Sequence, residues 1–446
     1  MNPHVFFTKT APLRLFFAAA LPGAVSMLAS ALYQLIDGVF VGHFLGETPF
    51  AALNLAMPFV IINFSLADLI GVGSSVPISI SLGRREEDKA NNLFTCACLM
   101  IVAAGFLVGA LLFAAAPLLI SLMGADGDFA SFAVQYLRVY ALCSPVTTIV
   151  FAMDNYLRIC GKVRRSMLLN IFMSLACVIL EFLFLYVFGW GIWAAALATC
   201  TGMALAALFA FVPFARGKLQ LRLCRPRFSF RMVRQIFACG SPNFLNNIAG
   251  RITSILMNVL LIRFGGEAAV SIYGILMYVE GFVQPLLYGM CDSLQPAVGY
   301  NWGAGEYSRV NAIERCCFTA SALLSVCAAA VIFFFPSQIA RLFIQNSQGS
   351  LLPAAASALR FFAFTYVTRW FSFATQSFML AVKKPVYASL ISVSTALIFP
   401  VLLVILLWPL ALTGIWLNFA GTSVLAGILS FWVLLRFRKE NKQKIS

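Results

Sequence analysis

Long apolar stretches, each of about 20 residues or more, alternate with short polar loops along almost the whole chain. A helix of this length crosses the hydrocarbon core of a bilayer, which is about 30 Å thick and admits only a fully hydrogen-bonded backbone. The pattern predicts an all-α integral membrane protein with twelve transmembrane helices. The predicted spans are residues 14–41, 51–82, 92–121, 130–153, 166–188, 192–214, 236–262, 267–299, 310–335, 352–377, 385–408 and 412–435.

The second half of the chain repeats short sequences of the first half at a distance of about 220 residues. Phe44–Glu47 (FLGE) returns as Phe264–Glu267 (FGGE), and Gly191–Trp193 returns unchanged as Gly414–Trp416. Six crossings return the chain to the side on which it began, so the two lobes are expected to be parallel repeats, related by a pseudo-twofold axis along the membrane normal. The predicted divisions are an N-lobe at 1–215, a basic cytoplasmic linker at 216–235, and a C-lobe with a basic tail at 236–446.

The balance of residue types agrees with a membrane protein, because 61% are hydrophobic and 11% are charged, against about 25% charged in soluble domains. Lys and Arg gather in alternate loops and at both ends of the chain, and the positive-inside rule then places both termini in the cytoplasm. The formal net charge of +15 is divided among loops beside the membrane exits, where lipid headgroups are the expected partners. This charge therefore does not indicate a nucleic-acid partner.

Motifs for catalysis, redox chemistry or cofactor binding are sparse. Most of the 12 Cys lie inside predicted spans, no CxxC pair occurs, and there are two His, so we predict no disulfides, no metal site and no cofactor. The chain has no GxxxxGK[ST] loop for ATP-driven transport, and no nucleophile or acid–base motif for a membrane-embedded enzyme. The first apolar run has no clear cleavage site and is predicted to be retained as a helix.

Five short motifs occur in a fixed order along the chain. They are residues 32–42 (LYQLIDGVFVG), 71–83 (GVGSSVPISISLG), 157–161 (LRICG), 191–199 (GIWAAALAT) and 295–304 (QPAVGYNWGA). In order and spacing they resemble the signatures of the multidrug and toxic compound extrusion (MATE) family, and the resemblance covers nearly the whole chain. It implies a V-shaped bundle of two six-helix lobes in a bacterial inner membrane. It also implies alternating-access export of organic, often cationic compounds in exchange for protons or sodium ions. Since a two-lobed pathway can work alone, we expect a functional monomer.

The same resemblance implies a site in the N-lobe. In the proton-coupled branch of that family, the site combines a first-helix acid, a fourth-helix Tyr, two fifth-helix residues and a sixth-helix Thr. The matching positions are Asp37, Tyr136, Cys177, Glu181 and Thr199. Cys177 stands where that family has Asn, and Glu181 stands where it has Asp, so the set is short of the oxygen ligands that a preformed sodium shell needs. The resemblance therefore favours protons as the coupling ion, with sodium as the alternative.

Acidic residues inside the predicted spans point to the same region. Asp37, Asp68 and Glu181 lie clear of the loop edges, and an ionised side chain at the centre of a membrane helix costs at least about 2.5 kcal/mol. Asp37 and Glu181 share a depth of about 7 to 11 Å below the predicted outer surface. Two carboxylates in a low dielectric do not ionise together easily, so the pair is expected to hold a proton and release it when a cation arrives. The alternative for Asp37 is a hydrogen bond to helix backbone at a bend near Pro22.

The C-lobe has a second polar group at mid-span. Arg251, Glu280 and Arg369 fall near the middle of the seventh, eighth and tenth helices, where Asn247 and Gln376 are also available. A buried ion pair that holds helices in register is the default interpretation, and a role in substrate binding or gating is the alternative. These intramembrane arginines also keep open a different transport function, a flippase for a lipid-linked oligosaccharide or cell-wall precursor whose pyrophosphate would bind a basic cavity.

Overall fold

The computed structural model describes residues 3–343 and 351–441, and these residues form sixteen α-helices, two π-helical segments and one 3-10 turn. The α-helices are α1 (Pro3–Lys9), α2 (Pro12–Leu45), α3 (Glu47–Gly83), α4 (Glu87–Leu122), α5 (Gly127–Thr147), α6 (Ile149–Ile159), α7 (Val163–Phe182), α8 (Ile192–Ala215), α9 (Phe230–Ala304), α10 (Tyr307–Phe334), α11 (Pro336–Arg341), α12 (Leu351–Ala363), α13 (Thr365–Ala381), α14 (Pro385–Val393), α15 (Phe399–Leu406) and α16 (Ala411–Glu440). The π-helical segments are Leu183–Val187, which follows α7, and Ser394–Ile398, which follows α14.

The predicted crossings have helical counterparts. Within the described residues, ten helical segments are long and apolar enough to cross a membrane, and the bent pair α12 and α13 makes an eleventh. Helix α9 contains two of the predicted spans, and 75 residues in one straight helix would be about 110 Å long, far longer than a bilayer is thick. Its backbone leaves the helical conformation at Gly266, where φ is 60° and a side chain would be strained. We take this break as the turn between the seventh and eighth crossings.

The chain forms two compact units. The first, called the N-unit, consists of Met1–Lys9 and Val25–Gly240, and the second, called the C-unit, consists of Thr10–Ala24 and Ser241–Ser446. The core of the N-unit includes apolar side chains of α3, α5 and α8. The core of the C-unit is built mainly from α9, α10, α12 and α16.

A close helix crossing explains why the start of α2 belongs to the C-unit. Gly23 and Gly289 lie back to back, and a Cβ added to Gly23 would overlap the side chain of Ser293. A Cβ added to Gly289 would overlap the backbone of Gly23. Small residues at such crossings let two helix backbones approach closely, which favours association inside a membrane.

The segment predicted as a linker is hydrogen-bonded to the N-unit. The backbone N–H groups of Arg222 and Arg227 donate to the side-chain oxygens of Asn91 and Asn92, each at 2.8 Å. The Asn92 amide donates in return to the Arg227 carbonyl at 3.0 Å. Side chains at the start of α4 therefore provide hydrogen-bond partners for the backbone of a segment that has no regular secondary structure.

Candidate functional site

Three helices of the N-unit each contribute two polar residues one turn apart. Tyr33 and Asp37 lie on α2, Tyr136 and Tyr140 lie on α5, and Cys177 and Glu181 lie on α7. Residues four apart share one face of a helix, so each pair points in a common direction. Thr199 of α8 completes this set, which we call the N-unit cluster, and every member is at most 8% exposed.

The N-unit cluster is joined by short polar contacts. The hydroxyl groups of Tyr33 and Thr199 are 2.5 Å apart, and the Cys177 thiol donates to the Thr199 carbonyl at 3.6 Å. The carboxyl groups of Asp37 and Glu181 adjoin one another. The rings of Tyr136 and Tyr140 lie 5.2 Å apart and border the same space. Side chains separated by more than 150 residues in sequence thus enclose two acids.

Several polar atoms of this cluster have no well-aligned hydrogen-bond partner among the described residues. They are Oδ1 of Asp37, both carboxyl oxygens of Glu181 and the hydroxyl of Tyr136. An unsatisfied polar atom in a buried site costs free energy, and an uncompensated charge costs more. Protonation of a carboxyl group, or a bound cation, reduces that cost. The arrangement is therefore chemically suited to take up and release positive charge.

The structure brings together five of the six residues predicted for the N-lobe cavity: Asp37, Tyr136, Cys177, Glu181 and Thr199. Asp68 is half-buried on α3. Sequence reasoning missed Tyr33 and Tyr140. The available signal was their spacing, because each lies one helical turn from a residue that was identified.

The C-unit contains a cavity of about 490 Å³, which we call the C-unit cavity. All five residues predicted for the C-lobe line it: Asn247, Arg251, Glu280, Arg369 and Gln376. The Arg369 guanidinium donates to Oε1 of Glu280 at 2.6 Å. Arg251 lies outside this ion pair and is exposed, and no described acid pairs with it. The expected ion pair thus forms between Glu280 of α9 and Arg369 of α13, and Arg251 is not part of it.

Aromatic rings and hydroxyl groups complete the wall of the C-unit cavity. The rings of Tyr288 and Phe373 are stacked with centroids 3.9 Å apart, and Gln284 donates to the Tyr288 hydroxyl at 2.5 Å. The buried hydroxyl oxygens of Tyr366 and Thr395 have no hydrogen-bond partner among the described residues. Thr395 lies in the second π-helical segment, and such segments frequently occur at functional sites.

Within residues 3–343 and 351–441, no group of three or more His, Cys, Asp or Glu side chains is placed to hold a metal ion.

Comparison with known proteins gives a family and a fold. The model of the MatE family matches residues 22–187 and 242–406, which are the two halves of the internal repeat. The multidrug export protein MepA of Staphylococcus aureus is 25% identical over 330 residues, covering 73% of this chain and 72% of MepA. MepA of Staphylococcus saprophyticus is 25% identical over 345 residues, covering 77% and 76%.

Solved structures share the architecture at lower sequence identity. A crystal structure of MATE in complex with MaL6 superimposes with a TM-score of 0.93 at 22% identity, covering 99% of this chain and 100% of the other. A MOP superfamily transporter from Pyrococcus furiosus, whose binding pocket is described as having reverse polarity, gives a TM-score of 0.92 at 22% identity, covering 99% and 98%. The two-lobed fold of twelve membrane helices is thereby established.

Proposed function

Because this chain belongs to the MatE family, we propose that it is a secondary antiporter that exports organic, amphipathic compounds, cations among them, in exchange for protons. Membership in a family of multi-pass membrane transporters excludes the membrane-embedded enzyme considered from the sequence. The names of the MepA relatives support multidrug export. From the distribution of Lys and Arg, we infer that the chain lies in the inner membrane of a bacterium, surrounded by lipid, with both termini cytoplasmic. We also infer that it works as a monomer, because one chain contains both lobes.

The observation that carries the proposal is the adjoining pair Asp37 and Glu181 in the N-unit cluster. Both side chains are at most 4% exposed, and three of their four oxygens have no well-aligned hydrogen-bond partner in the part of the chain that the structure describes. Two ionised carboxylates at this spacing repel one another in a low dielectric, so a proton shared by the pair lowers its energy. A bound organic cation has the same effect. Proton and cation therefore compete, and competition at one site is a sufficient basis for exchange.

In this mechanism the inward proton gradient sets the direction of transport, and alternating access couples the two movements. When the cluster is open to the outside, protons enter it and displace the exported cation; when it is open to the cytoplasm, the protons leave and a new cation binds. Sodium is the alternative coupling ion. Cys177 supplies a thiol at the position where the family pattern supplies an amide oxygen, which argues for protons.

The test is transport of ethidium into inverted membrane vesicles under an imposed proton gradient or an imposed sodium gradient. Proton-driven transport that Asp37→Asn or Glu181→Gln abolishes is the expected result. Asp128→Asn is the matched control, because Asp128 is an exposed acid near the start of α5. Sodium-driven transport would contradict proton coupling. No transport under either gradient would favour the alternative, a flippase for a lipid-linked precursor.

A further inference from the structure

We propose that the C-unit cavity binds the carboxylate of an aromatic organic substrate, with Arg251 as its main ionic contact. The inference rests on the proposed export function and adds a substrate class to it, compounds that carry an acidic group. The cavity has a volume within the range of about 300 to 1,000 Å³ that small-molecule sites occupy. Its size therefore permits an organic ligand, and its charge determines which kind.

The charged side chains that line the cavity are two arginines and one glutamate. Arg369 and Glu280 neutralise one another at 2.6 Å, so the charge of Arg251 is left over. Arg251 is exposed to the cavity and has no described counter-ion, so its guanidinium can form charge-assisted hydrogen bonds to a bound anion. The wall of the cavity thus has a net positive charge. The N-unit cluster contains two acids, so the two units differ in the sign of the group that they attract.

Other hydrogen-bond donors lie on the same wall. Asn247 is one helical turn from Arg251 on α9, so its side-chain amide lies on the same face. The hydroxyl groups of Tyr366 and Thr395 are buried and have no described partner. A carboxylate accepts hydrogen bonds and donates none, so guanidinium, amide and hydroxyl groups are suitable partners. The Tyr366 and Thr395 hydroxyls have no partner among the described residues, and Arg251 has no described counter-ion, which is the reason to expect an anionic ligand here.

The rest of the wall fits an aromatic body. Tyr288 and Phe373 form a stacked pair, and Phe419 and Met257 border the same space. Aromatic rings and flexible thioethers adapt to flat ligands of different outline. The combination of one unpaired cation with an aromatic wall selects an aromatic acid over a purely aliphatic one.

The experiment measures binding to the purified full-length protein in detergent by fluorescence of three dansyl probes. Dansylglycine carries a carboxylate, dansylglycinamide is its neutral amide, and dansyl-ethylenediamine carries an amine. We expect dansylglycine to bind more tightly than the amide. Arg251→Gln should weaken dansylglycine binding by about tenfold or more, since a hydrogen bond to a charged group contributes that much, and should leave the amide within about twofold. Arg251→Lys, which keeps the charge, should restore most of the binding.

Arg138→Gln is the matched control. Arg138 is an arginine within a predicted span of the N-unit that packs over the Phe113 ring, and it does not line the cavity. Thermal unfolding of each variant identifies any variant that has lost its fold. If Arg251→Gln is unfolded, the binding of dansylglycine by Arg251→Lys tests the inference instead. Equal binding of dansylglycine and its amide to the wild type, or equal loss of both in Arg251→Gln, would overturn the inference. Because binding is measured without any gradient, a failure of the export proposal in the vesicle assay is a separate result.

Discussion

The hydroxyl groups of Tyr33 and Thr199 lie 2.5 Å apart, although 166 residues separate them in the chain. The contact joins α2 to α8 directly beside the acid pair of the N-unit cluster. Asp37 lies one turn after Tyr33, so the contact also fixes the rotation of α2 that turns this acid towards Glu181. The position of Asp37 therefore depends on a neutral hydroxyl pair, which a conservative substitution can test.

Tyr33→Phe should leave the protein folded and reduce its transport rate. Hydrogen bonds between membrane helices contribute about 0.6 kcal/mol on average, which is too little to unfold the protein. We expect a decrease of a few degrees at most in the unfolding temperature, together with slower proton-driven transport of ethidium. Tyr186→Phe is the control, since Tyr186 is 63% exposed. An unchanged transport rate in Tyr33→Phe would show that the contact does not position Asp37.

Removing the charge of either acid should preserve or raise stability while it abolishes transport. The Asp37 and Glu181 carboxyl groups are buried with unsatisfied oxygens, so the native fold holds them at a cost. Asp37→Asn and Glu181→Gln remove the charge and keep the shape. The measurement is the thermal unfolding temperature in detergent at neutral pH, with the vesicle assay on the same samples. A lower unfolding temperature in both variants would indicate a structural role for the pair.

The ion pair of the C-unit cavity should show strong coupling in a double-mutant cycle. Glu280→Gln leaves the Arg369 guanidinium without its partner, and breaking a buried pair in this way costs about 3 to 5 kcal/mol. The side chains are 15% and 25% exposed, so the loss is expected at the lower end. The double variant Glu280→Gln with Arg369→Gln should recover most of the stability. Additive losses in the double variant would mean that the two side chains do not stabilise one another.

Gly289→Ala should destabilise the C-unit severely, whereas Gly274→Ala should not. A methyl group on Gly289 would overlap the backbone of Gly23, and overpacking of this kind costs about 1 to 3 kcal/mol or more. Gly274 lies on the same helix and has no atom within 4 Å of an added Cβ, so Ala there should be neutral or stabilising. Yield of monodisperse protein and thermal unfolding measure the difference. Equal yields and unfolding temperatures for the two variants would show that α2 and α9 leave room for a methyl group at Gly289.

The crossings were predictable because the bilayer requires an apolar run of fixed length, and a sequence displays such a run directly. The grouping of Asp37 with Glu181 was predictable from depth and from a family pattern. The participation of Tyr33 and Tyr140 was not, because it depends on helix rotation, and rotation is decided by packing with other helices.

The same limit applies in the C-unit. The sequence indicated that charges near mid-span would pair, and Glu280 and Arg369 do so. It did not indicate that Arg251 would lie outside the ion pair, since all three residues have similar depth. The choice of Arg369 as the partner of Glu280 depends on how α13 packs against α9, which the sequence does not show. The sequence pattern also could not predict that Thr10–Ala24 belongs to the C-unit, because Gly23 packs against the distant Gly289.

The attachment of the basic segment to α4 has a consequence for the vertical position of the N-unit in the bilayer. Arg222 and Arg227 are exposed, while their backbone is held by Asn91 and Asn92. We therefore expect their charges to meet the phosphate groups of the lipid at a constant depth relative to the helix. In a thinner or thicker bilayer, we expect the N-unit to tilt or the surrounding lipid to deform, because the hydrogen bonds to α4 hold these charges in place.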